Sequence, residues 1–74
     1  MSDYFKSWET DTKYYEASIY QDLFGCWIID KCWCGKKNNR HGGHVESCNN
    51  MEDAFLKMGY LDKVRKRRGY RNAD

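Results

Sequence analysis

The residues best suited to bind a ligand lie near the middle of the chain. Trp33 is followed by Lys36, Lys37, Arg40 and His41, so an aromatic ring stands close to a group of cations. Lysine and arginine contact phosphates, and an exposed aromatic ring stacks on a base or a sugar. The pattern therefore indicates a surface for nucleic acid. The alternative interpretation is a tryptophan in the core beside a solvated polar loop.

The same part of the chain contains thiols and imidazoles that are common zinc ligands: Cys32, Cys34, His41, His44 and Cys48. Four such ligands would satisfy the tetrahedral geometry of zinc. Their spacing does not match a paired C-x-x-C pattern, and buried cysteine usually packs as a small apolar residue. We therefore expect no bound metal and no other cofactor.

A nucleophilic pair can also be drawn from Cys34 and either His41 or His44. Such a pair needs a third group that orients the base, and the sequence offers no clear one. A phosphate-cradling loop and a pair of catalytic acids are not evident either. We expect a binding protein rather than an enzyme.

Charge is distributed unevenly along a chain whose net charge is +2. Residues 1–30 contain six acidic and two basic side chains, a balance of −4, whereas residues 31–74 contain eleven basic and five acidic side chains, a balance of +6. Such asymmetry is a recognised sign of a polyanionic partner. A solvated basic face would give the same composition.

The length of 74 residues predicts one domain with one core. Three tryptophans, six tyrosines and three phenylalanines supply much of the surface that this core can bury. There is no apolar run of about 20 residues, which a membrane-spanning helix requires, and the first residues do not resemble a signal peptide. We expect a cytoplasmic protein without a membrane partner, in which the cysteines are free thiols.

The elements that position these residues follow from hydrophobic periodicity. Residues 12–20 and 26–33 alternate with a period of two, and the turn at 21–25 predicts that they form an antiparallel hairpin. A polar loop is expected over 35–43, followed by a short third strand at 44–48. We expect residues 1–11 to form a flexible arm.

The clearest helix signal begins after Asn50, which can cap a helix together with Asp53. Apolar residues then recur at spacings of three and four: Met51, Ala54, Phe55, Met58, Leu61 and Val64. Cations close the helix and Gly69 follows as a C-terminal cap. Gly59, inside the helix, suggests a close approach or a bend. The predicted fold is α+β: an antiparallel sheet of three to five strands with one C-terminal helix packed on it.

Several of these features occur together in a known family. They are Tyr15, the turn Gln21-Asp22-Leu23-Phe24-Gly25, Trp27 and Trp33, Gly42-Gly43, a helix centred on Ala54, and the closing Lys66-Arg67-Arg68-Gly69-Tyr70-Arg71. In this arrangement residues 12–71 resemble the WGR domain, which leaves 1–11 as the arm and 72–74 as a tail. The sequence departs from the family at its hallmark. It reads Trp33-Cys34-Gly35-Lys36 where the family has Trp-Gly-Arg.

The resemblance implies a twisted antiparallel sheet with one helix across a face. In poly(ADP-ribose) polymerases the WGR domain contacts DNA near a strand end through its tryptophan and arginine, and similar modules occur in bacteria. No polymerase domain is present in the sequence, so the resemblance implies binding to DNA or to DNA ends without ADP-ribose transfer. The predicted contact set is Trp33, Lys36, Lys37, Arg40, Arg65, Arg68 and Arg71.

The alternative function is a protein-interaction module. It would use an aromatic-rich face of the sheet together with the acidic N-terminal arm. That hypothesis predicts Tyr14, Tyr20 and Trp33 clustered in solvent, because a large exposed apolar patch normally marks a partner site.

Overall fold

The computed structural model of the protein describes residues 4–37 and 41–73 and shows one open antiparallel sheet with one helix packed on it. The elements are β1 (Tyr4–Glu9), β2 (Lys13–Gln21), β3 (Trp27–Gly35), β4 (His41–Cys48), α1 (Met51–Arg67) and β5 (Arg71–Asn72). The strand order is β4-β3-β2-β1-β5. The predicted α+β class is confirmed, at the upper end of the expected number of strands.

The N-terminal segment belongs to the sheet, so the prediction of a flexible arm is wrong for residues 4–9. These residues pair with β2 along their whole length, and the last two also pair with β5. Trp8 is fully buried at the centre of the core. The acidic residues around this segment obscured an alternation in which Tyr4, Lys6 and Trp8 face the helix. Asn72, expected in the tail, belongs to β5.

The β2–β3 hairpin forms as predicted and extends to Gly35. Asp22 organises its turn, because one carboxylate oxygen accepts hydrogen bonds from the backbone N–H groups of Phe24 and Cys26, each at 2.9 Å. Gly25 completes the turn with a φ of 80°, which other residues rarely adopt. The hairpin register therefore places Tyr15 opposite Trp33.

The region between β3 and β4 contains less loop than predicted. β4 begins at His41, and Gly42 and Gly43 pair with Trp33 and Cys32 of β3. Periodicity did not predict the first half of this strand, because it consists of glycine and polar residues and glycine is depleted in strands. The predicted strand at 44–48 is the second half of β4.

The two faces of the sheet differ in what covers them. The helix-side face is covered by α1, and its core is Trp8, Tyr15, Ala17, Ile19, Ile29, Ala54 and Met58. The open face carries the alternate residues of each strand.

Helix α1 begins as predicted, because the side chain of Asn50 accepts a 2.8 Å hydrogen bond from the backbone N–H of Asp53. It ends at Arg67, and Gly69 follows with a φ of 90°. The apolar stripe is only partly buried, since Met51 and Phe55 remain exposed. Gly59 makes no close approach: a Cβ there would meet nothing within 4 Å. Within 4–37 and 41–73, no helix has the length and apolar character needed to cross a membrane.

Candidate nucleic-acid interface

Trp33 lies on the helix-side face, near the end of β3. Its ring stacks on that of Tyr15, with centroids 5.9 Å apart and an interplanar angle of 17°. On the other flank it occupies the space over Gly42, where an added Cβ would lie 2.8 Å from the indole nitrogen. The side chain is 42% exposed. Trp33 is therefore held in a fixed position while a large part of its ring faces solvent.

The exposed side of Trp33 borders a groove of about 480 Å³, here called the tryptophan groove. Lys13, Lys37 and Tyr70 also line it, and its remaining lining residues are uncharged. Neither lysine has an ion-pair partner among the residues that the structure describes. The groove thus combines aromatic surface with two uncompensated positive charges.

Two of the predicted contact residues are engaged inside the protein. The Lys36 ammonium lies 3.5 Å from a carboxylate oxygen of Glu9 and 4.6 Å from the centre of the Tyr14 ring. The Arg71 guanidinium lies 3.4 Å from both Glu9 and Asp11. These pairs join the end of β1 to β5 and to the residue that follows β3. They also cancel much of the positive charge that the sequence assigned to the interface.

Arg65 is a packing residue. Its guanidinium carbon lies 4.3 Å from the ring centre of Tyr15 and 5.1 Å from that of Tyr70. Its Nε is buried and has no hydrogen-bond partner within the described part of the chain. Burial raises the pKa of the Tyr15 hydroxyl, and the positive charge of Arg65 acts in the opposite direction. Arg65 thus packs against Tyr15, the ring on which Trp33 stacks.

Two residues of the predicted contact set remain, Arg68 and Arg40. Arg68 follows the helix directly, and its exposed side chain has no ion pair among the described residues. Arg40 lies outside the described residues. The structure therefore joins Trp33 and Lys37 in one groove, and Arg68 precedes the groove residue Tyr70 by two positions.

Sequence reasoning missed Lys13 and did not include Tyr70 in the contact set. Lys13 is opposite Gly35 across the hairpin, which brings it to the same end of the sheet as Trp33. This position could have been found by extending the hairpin register from the turn. Tyr70 packs back on the sheet, edge-on to Tyr15 with ring centroids 6.4 Å apart, and it also lines the groove.

The cysteines and histidines considered as zinc ligands are divided between the two faces. Cys32, Cys34 and His41 occupy open-face positions, whereas His44 and Cys48 pair with Lys31 and Trp27 on the helix-side face. Among the described residues, no group of three or more His, Cys, Asp or Glu side chains could hold a metal ion. Successive side chains of a strand point to opposite faces of the sheet, and this alternation separates the two groups.

Of the two nucleophilic pairs, the sheet register supports only the one between Cys34 and His41, which lie directly opposite each other. They border a cavity of about 180 Å³ together with Cys32 and Glu16. Burial, followed by the charges of Glu16 and Asp30, raises the pKa of the Cys32 thiol. A raised pKa lowers the thiolate fraction at neutral pH, and the thiolate is the reactive form.

Comparisons with protein-family models, with curated proteins and with solved structures found no match to this chain.

Proposed function

We propose that this protein binds nucleic acid through the tryptophan groove and performs no catalysis itself. The observation that carries the proposal is the fixed, half-exposed indole of Trp33 beside Lys13 and Lys37. A base or sugar stacks on the exposed indole, while the two ammonium groups contact phosphates on either side. The resemblance to WGR domains supports DNA, and DNA ends in particular, as the ligand.

The altered hallmark supports weaker binding than a complete Trp-Gly-Arg motif would give. Lys36 is the cation nearest to the expected arginine position, and it is paired with Glu9. A lysine is also a point charge that cannot reproduce the planar fork of a guanidinium group. Binding should then depend mainly on Lys13, Lys37 and Arg68. Three phosphate contacts correspond to a salt slope of about −2.7 on duplex DNA, at about 0.9 for each phosphate.

The alternative, a protein-interaction module built on an aromatic sheet face, has less support. Tyr14 and Trp33 both border the tryptophan groove, but Tyr20 lies six positions further along β2, near the other end of the strand. The three rings therefore do not form the single exposed cluster that this hypothesis requires. The open face also carries Glu16 and Asp30, which interrupt any apolar patch there.

Fluorescence anisotropy with labelled single-stranded, blunt duplex and nicked oligonucleotides, at two or more salt concentrations, tests the proposal. Tighter binding to single strands or ends than to duplex interiors is the expected result, with affinity that falls as salt rises. Trp33→Ala should weaken binding by about tenfold or more, since a single base stack contributes about 1–3 kcal/mol.

The matched control is Lys63→Gln, which removes one exposed positive charge from the solvent-facing side of α1. It should change the affinity much less than Lys37→Gln. Absence of binding at low salt, or binding that Trp33→Ala and Lys37→Gln leave unchanged, would contradict the proposal.

A further inference from the structure

The outer edge of β4 is a long strand edge that the protein leaves open. Among the described residues β3 is the only strand partner of β4, and the eight residues His41–Cys48 pair with β3 in one continuous register. In an antiparallel sheet, about every second residue of an edge strand directs its N–H and C=O groups away from the sheet. β4 therefore presents a row of backbone donors and acceptors that fits another extended strand.

The two edges of this sheet differ in how they are protected. Proteins block edge pairing with very short strands, bulges, prolines or lysines. On the opposite edge, β5 has two residues and includes Arg71, and the rest of β1 includes Lys6, which lies 3.6 Å from Asp62 of the helix. Over the described range 41–48, β4 has no proline, lysine or arginine, and its register with β3 contains no bulge. The edge of β4 thus lacks the usual protection.

An uncovered apolar surface of the helix lies beside the same edge. A groove of about 470 Å³ runs between α1 and the strands β3 and β4, and its helix wall includes Leu56 and Tyr60. These two side chains are 71% and 66% exposed. An extended peptide on β4 would pair with the edge but would leave this helix wall in water. A partner that covers both features must carry a strand and an apolar helix side by side, as this chain does.

Charge beside the edge does not oppose an identical copy. Glu46 of β4 contacts Lys57 at 2.8 Å and Lys31 at 3.3 Å, and Lys57 also lies 3.5 Å from Asp53. Two acids and two bases balance, which leaves this group without net charge. Two copies can therefore approach through this side without the like-charge repulsion that excludes wrong partners.

We propose that two copies of this chain pair through the outer edges of their β4 strands, which joins two five-stranded sheets into one. Antiparallel pairing about a two-fold axis perpendicular to the sheet makes the contact self-complementary and closed. Both helices then lie on the same side of the joined sheet, and the walls that carry Leu56 and Tyr60 face each other. The two β3 strands are three strand spacings apart, about 14 Å, which is similar to the diameter of a helix with its side chains.

The residues of β4 favour a register centred on Val45. In that register Val45, which is 57% exposed, faces its own copy, and His44 lies opposite Glu46 on each side of the axis. Pairs of β-branched and of complementary polar side chains stabilise antiparallel strands. A register centred on Glu46 would place two carboxylates face to face, which is unfavourable. One centred on His44 would put Gly42 opposite Glu46 and lose both favourable pairs.

Sedimentation velocity of the full chain over a range of concentrations, without nucleic acid, tests the inference. The expected result is a monomer–dimer equilibrium. Val45→Glu should weaken dimerisation by at least about tenfold, because Val45 pairs with Asp30 and four carboxylates would then stand in one row across the interface. Ser18→Glu is the matched control, since Ser18 is the other cross-strand neighbour of Asp30 but lies inside the sheet. It should leave the dimer intact.

Mixing Val45→Glu with Val45→Lys gives the sharper result. Opposite charges then meet at the two-fold axis, so a mixed dimer should form although Val45→Glu alone remains monomeric. Amide hydrogen exchange is the second readout, because the outward N–H groups of β4 should exchange more slowly at concentrations where the original chain is dimeric. Leu56→Glu, on the helix wall, should also weaken the dimer by about tenfold, as loss of an apolar anchor usually does.

A chain that stays monomeric at all concentrations overturns the inference. So does a dimer that Val45→Glu leaves intact, a mixture that does not associate, or a dimer in which amide exchange in β4 is unchanged. None of these results bears on nucleic-acid binding, because no residue that lines the tryptophan groove belongs to β4 or to the helix wall.

Discussion

The indole nitrogen of Trp8 donates a 2.8 Å hydrogen bond to a carboxylate oxygen of Asp62, across 54 positions of sequence. Asp62 also lies 3.6 Å from the Lys6 ammonium and 3.2 Å from that of Lys66. This group joins β1 directly to α1. The N-terminal strand is thereby fixed to the same helix that carries Arg65, which supports the stack beneath Trp33.

Replacement of Trp8 by phenylalanine should therefore destabilise the whole domain. The change removes the hydrogen bond to Asp62 and part of a fully buried ring. The expected loss in the free energy of unfolding is about 1–3 kcal/mol, measured by urea denaturation. Trp27→Phe, at a half-buried tryptophan, is the control. An equal or smaller loss for Trp8→Phe would show that β1 is not part of the core.

Stability should fall under acidic conditions, and Asp62 should account for part of the fall. Hydrogen bonding from Trp8, and then from Lys66, lowers the pKa of the Asp62 carboxyl below 3.8. A lowered acid pKa stabilises the fold above the unfolded value, and this contribution is lost as pH falls through the folded value. Urea midpoints measured below and above about pH 4 should show less pH dependence in Asp62→Asn than in the original chain.

Gly42→Ala should displace the Trp33 ring, because the new Cβ would lie 2.8 Å from the indole. The expected result is weaker nucleic-acid binding by about tenfold with a smaller effect on folding, since the stack of Trp33 on Tyr15 is disturbed at the sheet margin. Anisotropy titrations measure the first effect and urea melts the second. Unchanged affinity would mean that the position of Trp33 does not matter for the ligand.

Gly59→Ala should stabilise the protein by about 0.5–1 kcal/mol. The position is helical, and an added methyl group would meet nothing within 4 Å. Alanine lowers the entropy of the unfolded chain without strain in the helix. Thermal melting measures the effect. A decrease in stability would imply that Gly59 is required for a contact made by α1.

Lys37→Gln and Lys36→Gln should differ in their effect on salt-dependent binding. Lys37 borders the tryptophan groove without an ion-pair partner among the described residues, so its loss should reduce the duplex salt slope by about 0.9. Lys36 is paired with Glu9, and its removal should change the slope less. Titrations at several salt concentrations measure both slopes. Equal changes would show that the Glu9 pair opens when the ligand binds.

Local pattern was sufficient to predict much of the fold. The alternation around Tyr15 and Ile29 defined the hairpin, and Asn50 with Gly69 defined the limits of the helix. The strand β1 was missed because Trp8 stands among polar residues, and its burial depends on Asp62, which is remote in sequence. The first half of β4 was missed because Gly42 and Gly43 have no strand signal of their own. They belong to a strand because they pair with Trp33 and Cys32 of β3.

The candidate site was less predictable because it depends on which acidic and basic side chains form ion pairs in the folded protein. Sequence reasoning named Trp33 and Lys37 in one contact set, and both line the tryptophan groove. It could not show that Glu9 and Asp11 pair with Lys36 and Arg71, since those pairs form only when β1 joins the sheet. Nor could it show that Arg65 packs between two tyrosine rings rather than facing solvent.

Trp8 is buried and Trp33 is partly exposed, so the fluorescence of the two side chains reports on two different processes. In a Trp27→Phe variant, a dissolved quencher such as acrylamide reaches the half-exposed indole of Trp33 but not the enclosed one of Trp8, so the two remaining emissions separate without any label. Light from Trp8 then follows unfolding, while light from Trp33 follows occupation of the surface beside it.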